Sequence, residues 1–118
     1  MIDDDPGMLR TINRLLNAYG FDVQAFSSAE EFLECSNPDG AGCLVLDINL
    51  GGISGIELRR KLAHSGNSIP IIFITGNDSD VIRKAALEVG FSAYLSKPFL
   101  AKQLMDAIEK AFNVPQDL

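Results

Sequence analysis

Cys43-Leu44-Val45-Leu46-Asp47 (CLVLD, 43–47) is an unbroken apolar run that ends on a single acid. A short run without polar alternation suits a strand buried on both faces of a parallel sheet. A second run of the same kind, IPIIFI (69–74), has Pro70 near its start and is followed by Thr75. Between the two lies a turn, Gly51-Gly52-Ile53-Ser54-Gly55, after which Ser54 and Glu57 predict the capped start of a helix reaching about His64.

Working outward, the same alternation repeats. Asp5 as N-cap and Pro6 in the first turn predict a first helix, with Leu9, Ile12, Leu15 and Leu16 at helical spacing and Gly20 as its stop. FDVQAF (21–26) reads as a short strand, and Ser28 with Glu31 as a capping box for a helix through Cys35. Asn37-Pro38-Asp39-Gly40 is a loop. Beyond the second apolar run, Asp78 or Ser79 opens a fourth helix that reaches Val89 and stops at Gly90. Ser92 to Leu95 makes a brief strand, and Leu100 to Phe112 a last helix with Leu104, Ile108 and Phe112 on one side. Strands alternating with helices predict an α/β fold, a doubly wound parallel sheet covered on both faces.

The 118 residues fit one domain, 1–118. With 47% hydrophobic and 22% charged residues, the composition is that of a globular chain. A net charge of -6, from 16 acidic and 10 basic residues, argues against a nucleic-acid backbone binder. No apolar run is long enough to span a bilayer, and no basic segment leads into an apolar stretch at the N-terminus. A soluble, cytoplasmic protein without membrane contact is the expectation, with Cys35 and Cys43 as reduced thiols.

In a parallel sheet, ligands bind beyond the carboxyl ends of the strands. Asp3 and Asp4 follow Ile2, Asp47 ends CLVLD, Thr75 ends IPIIFI, and Lys97 with Pro98 comes just after AYL. These residues are expected to converge on one edge. Two like charges ~4 Å apart cost about 4 kcal/mol at an effective dielectric near 20, so an acidic cluster of this kind implies a bound cation. Hard oxygen ligands favour Mg²⁺ or Mn²⁺. With the metal in place, one carboxylate can attack phosphorus, while Lys97 offsets the charge of the transferring group and the Thr75 hydroxyl bonds a phosphoryl oxygen.

The motifs IDDDP (2–6), LVLDINLGGISGIEL (44–58), IPIIFITGN (69–77) and YLSKPF (94–99) together resemble the response-regulator receiver domain of two-component systems, nearest the nitrogen-fixation-regulator type. The resemblance covers nearly the whole chain. It implies a flavodoxin-like sheet of five parallel strands in the order 2-1-3-4-5, with five helices. Only Met1 and Ile2 precede the acids, so the first strand is expected to be shortened. The resemblance further implies that Asp47 accepts the phosphoryl group, that Asp4 ligates Mg²⁺ directly and Asp3 through water, and that the main-chain carbonyl of Asn49 is another ligand. Lys97 would bridge to the phosphoryl group, with a cis peptide between Lys97 and Pro98. Thr75 and Tyr94 would form the switch pair, and Asn49 and Asn77 would occupy the positions that tune phosphate lifetime. Gly76, small and next to Thr75, would leave the phosphate open to backbone donors. Implied partners are a histidine kinase or phosphotransfer protein, and a second receiver through the face of the fourth helix, fifth strand and fifth helix, about Asp78 to Phe112. A receiver is a regulatory domain that assists its own phosphorylation and dephosphorylation, not an enzyme with a separate substrate.

Three other readings use the same residues. A haloacid-dehalogenase-like phosphatase resembles this site but needs a second acid, where the chain has Asp47-Ile48-Asn49. An FMN-binding flavodoxin needs a phosphate loop where the chain has Asp3-Asp4-Asp5. A phosphorylation-independent interaction module with receiver architecture would not need the acids, Thr75 and Lys97 together.

Overall fold

The computed structural model describes residues 1–35, 42–50 and 54–112. In chain order the elements are α1 (Pro6–Ala18), α2 (Ala29–Cys35), β1 (Leu44–Asp47), α3 (Gly55–His64), β2 (Ile71–Thr75), α4 (Asp80–Val89), β3 (Ala93–Ser96) and α5 (Ala101–Phe112). The expected loop at 37–40 and the Gly51–Ile53 part of the turn lie outside the described residues.

The helix starts follow the sequence chemistry. The Asp5 carboxylate accepts from the Gly7 and Met8 amides, with Pro6 in the first turn of α1. Ser54 Oγ accepts from the Glu57 amide at 3.2 Å, and Ser79 Oγ from the Ile82 amide at 3.2 Å, so Ser79 and not Asp78 caps α4. Before α2, Ser28 Oγ accepts from the Glu31 amide, while the Glu31 carboxylate accepts from the Ser27 hydroxyl. Gly90 ends α4 at φ 84, the left-handed region that suits glycine.

The three strands form a parallel sheet in the order β1-β2-β3, with Asp47 level with Ile74 and Thr75 level with Ser96. Alternate residues face opposite layers. Leu44, Leu46, Ile71 and Phe73 pack with Phe32, Leu58, Leu62 and Ala86, which come from α2, α3 and α4. Val45, Ile72 and Ile74 pack with Ile12 and Leu16 of α1 and with Leu104, Met105 and Ile108 of α5. This division of helices between the two faces is why β1 and β2 carry no polar residue before their last position.

Of the expected five strands, the described residues form three as strands, and two isolated parallel bridges extend the sheet beyond β1. Ile2 bridges in parallel to Leu46 on one side and Phe26 on the other. The Ile2 amide donates to the Val45 carbonyl and the Asp47 amide to the Ile2 carbonyl, both at 2.9 Å. On the other side the Phe26 amide donates to the Met1 carbonyl and the Asp3 amide to the Phe26 carbonyl. The stretch FDVQAF therefore contributes one bridging residue, not a strand. Its neighbour offers a partner only around Ile2, and Asp22, Gln24 and Ala25 are exposed. No helix among the described residues is long and apolar enough to cross a membrane.

Candidate functional site

The carboxyl ends of β1, β2 and β3 and the residues after Ile2 meet at one edge. Asp3 is fully buried and Asp47 nearly so, whereas Asp4 is exposed. One carboxylate oxygen from each of the three lies within 4.8 Å of the others. Lys97 Nζ sits between the two buried acids, donating to Asp3 Oδ2 at 3.1 Å and to Asp47 Oδ2 at 3.2 Å. The other oxygens accept backbone amides: Asp47 Oδ1 from Asn49 at 3.0 Å, and Asp3 Oδ1 from Asp5 at 2.9 Å.

Backbone packing places Asp47. Gly55, the first residue of α3, lies directly against the Asp47 carbonyl oxygen, where any Cβ would collide. Its amide donates to the Ile48 carbonyl at 3.0 Å. Lys97 follows β3, and its amide donates to the Thr75 carbonyl at 2.7 Å. The Lys97–Pro98 peptide is cis.

Burial pushes the Asp47 carboxyl up to about 6; the charge of Asp3 adds to this, and the Asn49 amide and Lys97 oppose it. Lys97 is raised despite its partial burial, which alone would lower it, because the bonds and charges of Asp3 and Asp47 outweigh the loss of water. Three carboxylates face one ammonium here. A divalent cation would balance the remainder, and the oxygen-only donor set suits Mg²⁺ or Mn²⁺, so the residues present fit such an ion.

Thr75 is fully buried, and its Oγ1 accepts from Asn49 Nδ2 at 3.1 Å and from the Asn77 amide at 3.0 Å. Sequence reasoning gave Asn49 a carbonyl-ligand role and a phosphate-lifetime position and did not find this amide bond, which joins residues far apart in the chain. Gly76 stands beside the Lys97 side chain with room for a Cβ. Tyr94 of β3 is half-buried against Phe91 and turns its hydroxyl to Asp78 Oδ1 at 2.8 Å. Asp78 was legible only as a candidate helix cap. With Ser79 taking the cap, its carboxylate accepts instead from Tyr94, Ser96 and Arg83.

A parallel sheet with helices on both faces, and with acids, a threonine and a lysine gathered at the carboxyl ends of its strands, defines a doubly wound α/β domain with a charged site at the sheet edge. The family model of the response regulator receiver domain matches residues 1–109, and the chain belongs to that family. It is a receiver domain of two-component systems, a regulatory module. The chain is 40% identical over 111 residues to Nodulation protein W of Bradyrhizobium diazoefficiens, covering 94% of this chain and 49% of that protein. Among solved structures it resembles response regulator StyR, with a TM-score of 0.87 and 40% identity over 94% of this chain and 56% of the other. It also resembles the crystal structure of FixJ-N, with a TM-score of 0.87 and 32% identity, covering 99% of this chain and 94% of the other. The chain spans about half the length of the curated relatives it matches first.

Proposed function

We propose that this receiver is switched by phosphorylation of Asp47. The observation that carries this reading is Lys97 Nζ held between Asp3 and Asp47, with the exposed Asp4 carboxylate close by. A carboxylate lone pair of Asp47 attacks the phosphorus of a phosphohistidine, on a histidine kinase or phosphotransfer protein, or of a small acyl phosphate. A P–O bond to Asp47 forms as the bond to the leaving nitrogen or oxygen breaks, and the leaving atom keeps the electron pair. Asp3, Asp4, Asp47 and the main-chain carbonyl of Asn49 would hold Mg²⁺, which when bound would supply positive charge against the transferring group. Lys97 exchanges its Asp47 contact for a phosphoryl oxygen, and the cost of moving it is small because it already lies at the site.

The added charge draws in the Thr75 hydroxyl, which gives up its bond from Asn49, and Tyr94 turns inward behind it. Asn49 and Asn77 carry amides, not carboxylates, at the positions that tune phosphate lifetime. The outcome is a population shift between two conformers, read on the face of α4, β3 and α5, where Val81, Leu87 and Leu100 are exposed. A partner there, including a second copy of this chain, gains or loses affinity.

Intact mass after incubation with acetyl phosphate tests the reading. One added phosphoryl group is expected, requiring both Mg²⁺ and Asp47 and absent from Asp47→Asn. A folded wild-type chain that gains none would overturn it.

A further inference from the structure

The Asp78 carboxylate gathers three donors, two from β3 and one from α4. Oδ1 accepts from the Tyr94 hydroxyl at 2.8 Å, and Oδ2 from Ser96 Oγ at 3.1 Å and from the Arg83 guanidinium at 2.6 Å. The same guanidinium lies over the Tyr94 ring, 5.3 Å from its centroid. Asp78 stands three positions beyond Thr75, and Ser96 immediately precedes Lys97. One side chain thus ties the loop after the switch threonine to the strand that delivers the site lysine. Helix capping does not explain Asp78, because Ser79 fills that role.

We propose that Asp78 is a positioning residue that latches Tyr94 outward in the unphosphorylated domain, so that the inward turn of Tyr94 requires release of its hydroxyl from Asp78. The proposal rests on the reading of Thr75 and Tyr94 as the switch pair. The Asp78 carboxyl is held below its ordinary range, first by the Tyr94 hydroxyl, and the Tyr94 phenol is raised by burial and by Asp78. Asp78 is exposed, so these bonds add little to folding. Their weight falls on the equilibrium between outward and inward Tyr94, because a contact present in only one conformer biases the population by its full free energy. The latch therefore opposes occupancy of the phosphoryl site without touching it.

Titration of the full chain with beryllofluoride at saturating Mg²⁺ tests this, using wild type, Asp78→Ala, Tyr94→Phe and the double variant. Tyr94→Phe keeps the ring and removes only the hydroxyl, so it probes the same bond from the other side. Each single variant is expected to lower the half-saturating beryllofluoride concentration by about threefold to tenfold. The double variant is expected to match Asp78→Ala, since the hydroxyl has no latch left to lose once Asp78 is gone. Saturable uptake by wild type with no gain in either single variant, or gains that multiply in the double variant, would overturn the latch alone. A wild-type chain that takes up none overturns the Asp47 reading and the latch with it.

Discussion

Two clusters in this domain are built around aspartates at different depths. At the sheet edge, Asp3 and Asp47 share Lys97 with almost no exposure. Some residues away, Asp78 joins Arg83, Tyr94 and Ser96 in the open. Burial makes the first cluster expensive: its charges are short of compensation, and Asp47 is pushed up to about 6. Exposure makes the second cheap to break, which suits the opening proposed for the Asp78–Tyr94 contact. The difference teaches that one domain can keep a carboxylate pair dry and hold another carboxylate where water replaces each lost bond.

The comparison is broken most directly at Lys97. Lys97→Ala leaves two buried acids without their cation and should lower stability in EDTA by about 3 kcal/mol, read by chemical denaturation. Preserved stability would mean that the edge is not charge-strained. Asp47→Asn should act in the opposite direction, raising stability in EDTA at pH 8 by about 2 kcal/mol. The sign follows from the raised carboxyl: the folded state holds a proton that the unfolded state has already released. Wild-type stability therefore falls as pH rises between the ordinary 3.8 and about 6, and the advantage of Asn should fade at pH below that window. An advantage independent of pH would place its cause outside Asp47 ionisation.

Asp4→Ala sharpens the contrast within the edge itself. Asp4 is exposed, so the variant should fold as wild type yet bind Mg²⁺ about tenfold more weakly, measured by calorimetry. Unchanged Mg²⁺ affinity would remove Asp4 from the cation site. The smallest effect on folding is expected at Asp78→Ala, whose unfolding midpoint should stay at the wild-type value. A clear loss of stability there would make the exposed cluster structural.

Much of this was legible because burial on both faces leaves unbroken apolar runs in the sequence. CLVLD and IPIIFI read as strands covered on both faces, and the residues at their ends read as a site, because the parallel arrangement fixes where strand ends point. FDVQAF misled because its alternation is a local signal, while a strand needs a partner of matching length, and here that partner is centred on Ile2. Asp78 was hidden for a related reason. An acid before a helix satisfies a local rule, and only the neighbouring serine decides whether the carboxylate is spent on the cap or free to reach Tyr94. The bond from Asn49 to Thr75 joins the loop after β1 to the end of β2 through tertiary packing, which no short-range pattern encodes.

The seam formed by Met1, Ile2 and Asp3 has a mechanical consequence. It is stitched to Phe26 on one side and to Val45 and Asp47 on the other by four backbone hydrogen bonds, and the acids Asp3 and Asp4 hang from its end. Tension on the leading end of the chain would load this short stitch before the longer β1–β2 ladder carries any force. The domain would shed its acid pair while its sheet still holds, so the chemistry proposed for Asp47 should fail under load earlier than the fold.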